Sequence, residues 1–255
     1  MKSVSIKLLV KLLVLGLTLA GCAEKFNPTE SLKLSDKYNV VIERDHLGVP
    51  HIIGERDVDA AFGFAYAQAE DNWQIIHDTI PFYRGTNAAI NGQDAATVDF
   101  LIQWLEIWET VDANYDSALK PETHSWINAF VDGINYYAAL HPEQTNQSIF
   151  PITGKDVIAG YMLRHLLFYG FDGSITELFE EQRQHPISRG PADANKQAEP
   201  MAGVTIGNLP VGSNAIAVSA PFTIDGATRL AINSHQPTTG PVAWYEAHIQ
   251  SNEGL

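Results

Sequence analysis

The sequence predicts an α+β fold. Strand-type alternation occurs over residues 38–52 and again over 214–233, each time around a turn signal. Between these regions lie stretches whose apolar residues recur every three or four positions, the spacing of helices with one buried face. Strands grouped around a helical run read as α+β rather than as a regularly alternating parallel sheet. The 255 residues suit one large domain or two small ones. At 45% hydrophobic and 18% charged, they can bury a sizeable core.

The first 21 residues stand outside that fold. Lys2, Lys7 and Lys11 form a positive leader, and Leu12 to Ala20 is apolar but too short to span a membrane. The segment ends in Leu19-Ala20-Gly21-Cys22, which resembles a bacterial lipobox. There a signal peptidase cuts before the cysteine, whose thiol carries a diglyceride. The competing reading is an ordinary secretory signal with an incidental cysteine. Cys22 is the chain's one cysteine, so neither an internal disulfide nor further thiolate chemistry is available. Ala23, where an aspartate would favour retention at the inner membrane, points by the same resemblance to the outer membrane, facing the periplasm. The formal charge of −14, with 16 basic against 30 acidic residues, argues against nucleic acid as a partner.

Residues 23–37 are polar and read as an irregular tether. Tyr38 to Glu43 and Val49 to Ile53 read as a hairpin turned at Asp45-His46-Leu47-Gly48. Asp57 is placed to cap a helix running to about His77, with Phe62, Ala65, Ala69, Trp73 and Ile76 as its buried stripe. A second helix is expected over Val98–Glu109. A third starts at Pro121 and carries Trp126, Phe130, Ile134 and Tyr137 on one face. A fourth follows the weak capping box Thr153-Gly154-Lys155-Asp156 and runs to about Tyr169. Residues 189–212 are rich in Gly, Pro and Ala, lack periodicity, and read as a linker longer than compact domains normally use. A hairpin then opens at Asn214–Ser219, turns at Thr223–Gly226 and returns over Leu230–Asn233.

The nine histidines include no His-x-x-x-His pair, so the sequence offers no transition-metal site. Dinucleotide-binding and phosphate-binding glycine loops are absent, as is a Gly-x-Ser-x-Gly elbow. What remains is Gly212-Ser213-Asn214 at the mouth of a strand. A serine hydroxyl needs a base. Were the Gly212–Ser213 bond cut, Ser213 would carry its own in its α-amine, whose reference pKa of ~7.7–8.0 suits neutral solution. Gly212, without a Cβ, lets a hydroxyl approach its carbonyl. Gly-Ser-Asn is also an ordinary turn sequence, so spacing alone leaves both readings open.

Six segments in fixed order carry a resemblance: "RDHLGVPHI" (44–52), "AAFGFAYAQAEDNWQ" (60–74), "FVDGINYY" (130–137), "GSNAIAV" (212–218), "NSHQP" (233–237) and "GPVAWYEAHIQSNEG" (240–254). Together they resemble the penicillin acylase family of N-terminal-nucleophile hydrolases, most of all its acyl-homoserine lactone and aculeacin acylase branch. The resemblance implies an αββα fold, two stacked sheets flanked by helices. Here the chain would supply the helical α-chain portion (22–188), a spacer (189–212) and the start of the β chain (213–255), which remains bound as a heterodimer after self-cleavage. It implies Ser213 as nucleophile, Gly212 and Ser213 as the processing site, and His235 as the histidine that supports the nucleophile by hydrogen bonding. The implied reaction is hydrolysis of an N-acyl amide, best a fatty-acyl amide such as an acyl-homoserine lactone. It needs no organic cofactor, although many members carry a structural calcium. A β-lactam acylase is the alternative within catalysis, and a non-catalytic envelope lipoprotein the alternative outside it. Leu255 stands where the branch usually has Trp, and the oxyanion-hole asparagine and most calcium ligands have no counterpart up to that point. The chain is therefore expected to be an N-terminal fragment of a precursor, inactive by itself.

Overall fold

A computed structural model describes residues 26–168, 212–236, 238 and 243–254. The leader, Cys22 and the 189–211 part of the expected linker lie outside the described residues. Strands β1 (Val40–Arg44) and β2 (Pro50–Gly54) form the expected antiparallel hairpin, with Val40 opposite Gly54 and Arg44 opposite Pro50. Asp45 shapes its turn by accepting from the N–H groups of Leu47 (2.8 Å) and Val49 (3.0 Å).

Helix α1 (Asp57–Arg84) is about two turns longer than its stripe foretold, because Ile80 and Phe82 continue the buried face. It kinks at Asn72 and ends on Gly85 in the left-handed conformation (φ 63°), which glycine adopts without strain. Its N-cap is Arg56, not Asp57. Asp59, fully buried, accepts from the Arg56 backbone N–H at 2.9 Å and from Nε at 3.0 Å, and also from Asn39 N–H at 3.1 Å. Asp57 is occupied elsewhere, as described below.

The expected helix over 98–109 is two helices, α2 (Ala96–Trp104) and α3 (Ile107–Ala118). Glu106 breaks them apart with a positive φ of 50°, and Val98, Ile102, Ile107 and Val111 still reach one core. Helix α4 (Pro121–Leu140) starts at the proline as expected. Helix α5 (Gly154–Phe168) begins at its capping box, where Asp156 accepts from the N–H and hydroxyl of Thr153 at 2.7 and 2.9 Å. Of the expected stripe on α4, Ile134 and Tyr137 are buried, whereas Trp126 is 44% exposed at the rim of a groove.

The main core lies between α1 and α4, with Trp73, Ile76, Ile80, Ile134 and Tyr137 packed on Phe150. The two helices touch at Gly133, where an added Cβ would stand 2.4 Å from the Phe62 carbonyl oxygen. The expected tether is instead docked. A helical turn at Pro28–Ser31 and a 3₁₀ turn at Leu34–Lys37 lead into Tyr38, which donates to Asp132 on α4 at 2.8 Å. Phe26 packs its ring on Phe150. Apolar and aromatic anchors at each end outweigh the polar composition between them.

Strands β3 (Gly212–Val218) and β4 (Arg229–His235) pair as the second hairpin, two residues longer at its open end than the alternation indicated. One further strand, β5 (His248–Gln250), was not foreseen. It joins the first hairpin, pairing parallel to β2 and giving the order β1-β2-β5. Helices segregated from a small mixed sheet and a separate hairpin make the described chain α+β. Among the described residues no helix is long and apolar enough to cross a membrane.

Candidate active site

The register of β3 and β4 assembles the site. Gly212 lies opposite His235, Ser213 opposite Ser234, and Asn214 opposite Asn233. The hairpin thus brings His235, 22 positions downstream of Ser213, directly across from Gly212, the glycine of the expected processing bond. Strand pleating sends residues 213 and 234 to one face and residues 212, 214, 233 and 235 to the other. On that second face the Nδ2 atoms of Asn214 and Asn233 stand 3.2 and 3.0 Å from His235 Nε2. A ring that carries its proton on Nδ1 leaves Nε2 to accept from these amides. The arrangement fixes the imidazole at the strand end beside the Gly212–Ser213 bond. The histidine expected from sequence, His235, thus lies at the strand end opposite Gly212. The two asparagines were not assigned a part, since their convergence follows from cross-strand register.

The hairpin's surroundings are open. Every residue of β4 is exposed, and Ile216, Leu230 and Ile232 are each about two-thirds exposed. Charge is confined to the far turn, where Arg229 pairs with Asp225.

A second feature lies on the helical body. An apolar groove of about 320 Å³ runs between α1, α4, α5 and β5, walled by Phe64, Trp126, Phe130, Val157 and Ile249. Asp57 stands at its edge. Elsewhere on the body Arg84 ties the end of α1 to the start of α5, donating to the buried Asp156 at 2.6 and 3.0 Å and to the Ile149 carbonyl at 2.7 Å. Nothing in the spacing of Arg84 and Asp156, 72 residues apart, marked them as a pair.

Among the described residues no three His, Cys, Asp or Glu side chains gather as metal ligands. The adjacent acidic residues Glu70 and Asp71 do not suit the implied calcium. Glu70 and Asp71 are already bound by Arg44 at 3.0 and 2.9 Å, and Tyr245 donates to Asp71. Burial works against the Arg44 guanidinium, but the two carboxylates outweigh it and hold its pKa above the ordinary arginine value.

Residues 39–254 match the sequence profile of the penicillin amidase family. The chain belongs to that family. Acyl-homoserine lactone acylase PvdQ of Pseudomonas fluorescens strain Pf0-1 is 27% identical over 257 residues, covering 92% of this chain and 32% of that protein. Aculeacin-A acylase of Actinoplanes utahensis is 24% identical over 251 residues, covering 88% of this chain and 31% of that one. Among solved structures, a thermostable penicillin G acylase from Alcaligenes faecalis is 19% identical at a TM-score of 0.41, covering 61% of this chain and 99% of that chain. The chain spans about a third of the length of the curated relatives it matches.

Proposed function

We propose that the chain is the N-terminal part of a self-cleaving N-acyl amide hydrolase. The observation that carries this reading is the register of the second hairpin, which seats His235 and its two amides beside the Gly212–Ser213 bond. In maturation, Ser213 Oγ attacks the Gly212 carbonyl carbon and the peptide C–N bond breaks, leaving an ester and a free α-amine. Water then hydrolyses the ester, giving a Gly212 carboxylate and restoring the hydroxyl. In turnover the Ser213 amine takes the hydroxyl proton as Oγ attacks the substrate amide, and passes it to the leaving amine. Water releases the carboxylic acid from the acyl-enzyme. His235 holds the strand end in place. The names of the relatives favour a fatty-acyl amide, such as an acyl-homoserine lactone, over a β-lactam. A lipid on Cys22 would keep the enzyme in the cell envelope.

A second reading is a non-catalytic envelope lipoprotein that retains the helical body as a binding module. The exposure of both hairpin faces favours it. The two readings separate on one experiment, made on a precursor completed to the length of the relatives. Mass analysis of the purified protein should find a chain beginning Ser213-Asn214-Ala215, and Ser213→Ala should stay uncut and inactive on acyl-homoserine lactones. A mature chain starting at any other residue removes the proposed base and overturns the mechanism. An uncut wild-type protein without turnover supports the lipoprotein.

A further inference from the structure

The last described stretch, residues 243–254, differs in kind from the hairpin before it. It contains the strand β5, and from 243 to 251 its burial alternates with period two. Ala243, Tyr245, Ala247, Ile249 and Ser251 turn inward, and the residues between them are exposed. This is the pattern of a strand read by a surface along one edge. Four of these five positions meet a partner on the body. Arg164 of α5 donates to the Ala243 carbonyl at 2.9 Å, and Tyr245 packs on Phe64 and donates to Asp71. Ile249 closes one wall of the apolar groove beside α1 and α4, while its backbone pairs with Ile52. Ser251 donates to Asp57, and its hydroxyl oxygen accepts from the N–H groups of Glu253 (3.1 Å) and Gly254 (3.2 Å).

The end of the segment is the most specific part. Glu253 accepts from the backbone N–H of Asp57 at 2.8 Å, in the first turn of α1. It therefore satisfies a donor that the helix cannot satisfy for itself, and places negative charge at the helix's positive end. Asp57 lies 196 positions earlier in the chain. The helix start is thus completed by a residue beyond the proposed cleavage site.

We propose that residues 243–254 are a docking strand, and that the groove formed by β2, α1, α4 and α5 is its receptor, able to hold it with the chain between them severed. The occupant is this chain's own segment. It is bound by strand addition to β2, by Ile249 as apolar anchor and by Glu253 as helix cap. The use of the device rests on the cleavage reading, for it would keep the two mature chains together. The docking itself does not need that cleavage.

The experiment separates the two. In the chain from residue 22 to 255, a recognition sequence for a specific protease replaces residues 203–208, and added protease makes the cut. Gel filtration should show the two pieces co-eluting and parting only in denaturant. A labelled peptide of residues 243–254 should exchange into the cut complex. Its Ile249→Asp form should compete on the order of tenfold to a hundredfold more weakly, as expected for losing one buried apolar anchor. Glu253→Ala should weaken competition by about twofold to fivefold. Ile232→Asp in the exposed strand β4 should leave co-elution unchanged, and the variant peptides leave the fold of the body intact. Pieces that separate in native buffer overturn the proposal, as does competition by the Ile249→Asp peptide equal to that of wild type. Failure of a precursor completed to the length of the relatives to cleave itself would weigh against the Ser213 reading and leave this result standing.

Discussion

His235 faces two amide groups with one ring nitrogen, and that crowding has a consequence for activity. The 3.0 Å approach of Asn233 Nδ2 and the 3.2 Å approach of Asn214 Nδ2 orient the imidazole from both strands. In the completed acylase, Asn233→Leu keeps the strand's bulk but removes one of these contacts. It should lower kcat by about tenfold to a hundredfold with little change in KM, the signature of lost orientation rather than lost binding. With an α-amine as base, kcat/KM of the wild type should rise with pH through about 7.7–8.0. Steady-state kinetics of both proteins across pH checks this, and wild-type kinetics in Asn233→Leu would remove the residue from the site. Ser213 and His235 stand out in the sequence because each sits in a short stretch with a family likeness, and their roles are part of the proposal. Asn214 was visible but given no part, and Asn233 was seen only as a letter of a motif. A hydrogen bond between strands depends on register, and a shift of one residue would have sent these side chains to the opposite face.

At the scale of elements, the start of α1 shows how a local signal and a distant one divide the same task. Asp59 closes the helix locally, and Glu253 closes it from the far end of the chain. Burial pushes the Asp59 carboxyl up, but hydrogen bonds from Arg56 and Asn39 outweigh it and hold the pKa below the ordinary aspartate value. A carboxylate with a lowered folded pKa adds stability above its unfolded pKa, and that stability is lost as pH falls through the folded value. The wild-type body should therefore lose helical circular dichroism as pH falls below about 4. Asp59→Asn should cost about 1.5–3 kcal/mol near neutral pH and show a flatter acid profile, as measured by urea unfolding at several pH values. An unchanged acid limb in the variant would show that Asp59 does not govern it. The first hairpin, α4 and α5 were legible because their caps and periods lie within the elements themselves. The break at Glu106, the docked 28–37 segment and β5 were not. Each is decided by what it packs against. β5 has three residues, too few for alternation to stand out until β2 supplies the partner.

Across the whole molecule, order is unevenly shared. The helical body has two contiguous apolar clusters, one between α1 and α4 and one joining α2, α3 and α5. Residues 243–254 are fastened to that body along their length. Between them stands the hairpin of β3 and β4, with the candidate nucleophile at its mouth and Ile216, Leu230 and Ile232 exposed. A two-stranded hairpin is marginally stable by itself in water, and its open edges and apolar faces gain their stability only under further strands. In the chain of residues 22–255 alone, amide hydrogens of 213–218 and 229–235 should exchange nearly as fast as in an unfolded peptide. Those of α1 and α4 should be protected up to the free energy of global unfolding. Self-cleavage requires Ser213 Oγ to be held against the Gly212 carbonyl, a geometry that a fraying hairpin does not maintain. The same sample should therefore run as one uncut band on a denaturing gel. Hydrogen exchange read by mass spectrometry, with the gel beside it, tests both halves together. Hairpin protection equal to that of α1, or two bands divided at Ser213, would show that residues 22–255 already hold the site rigid without further strands.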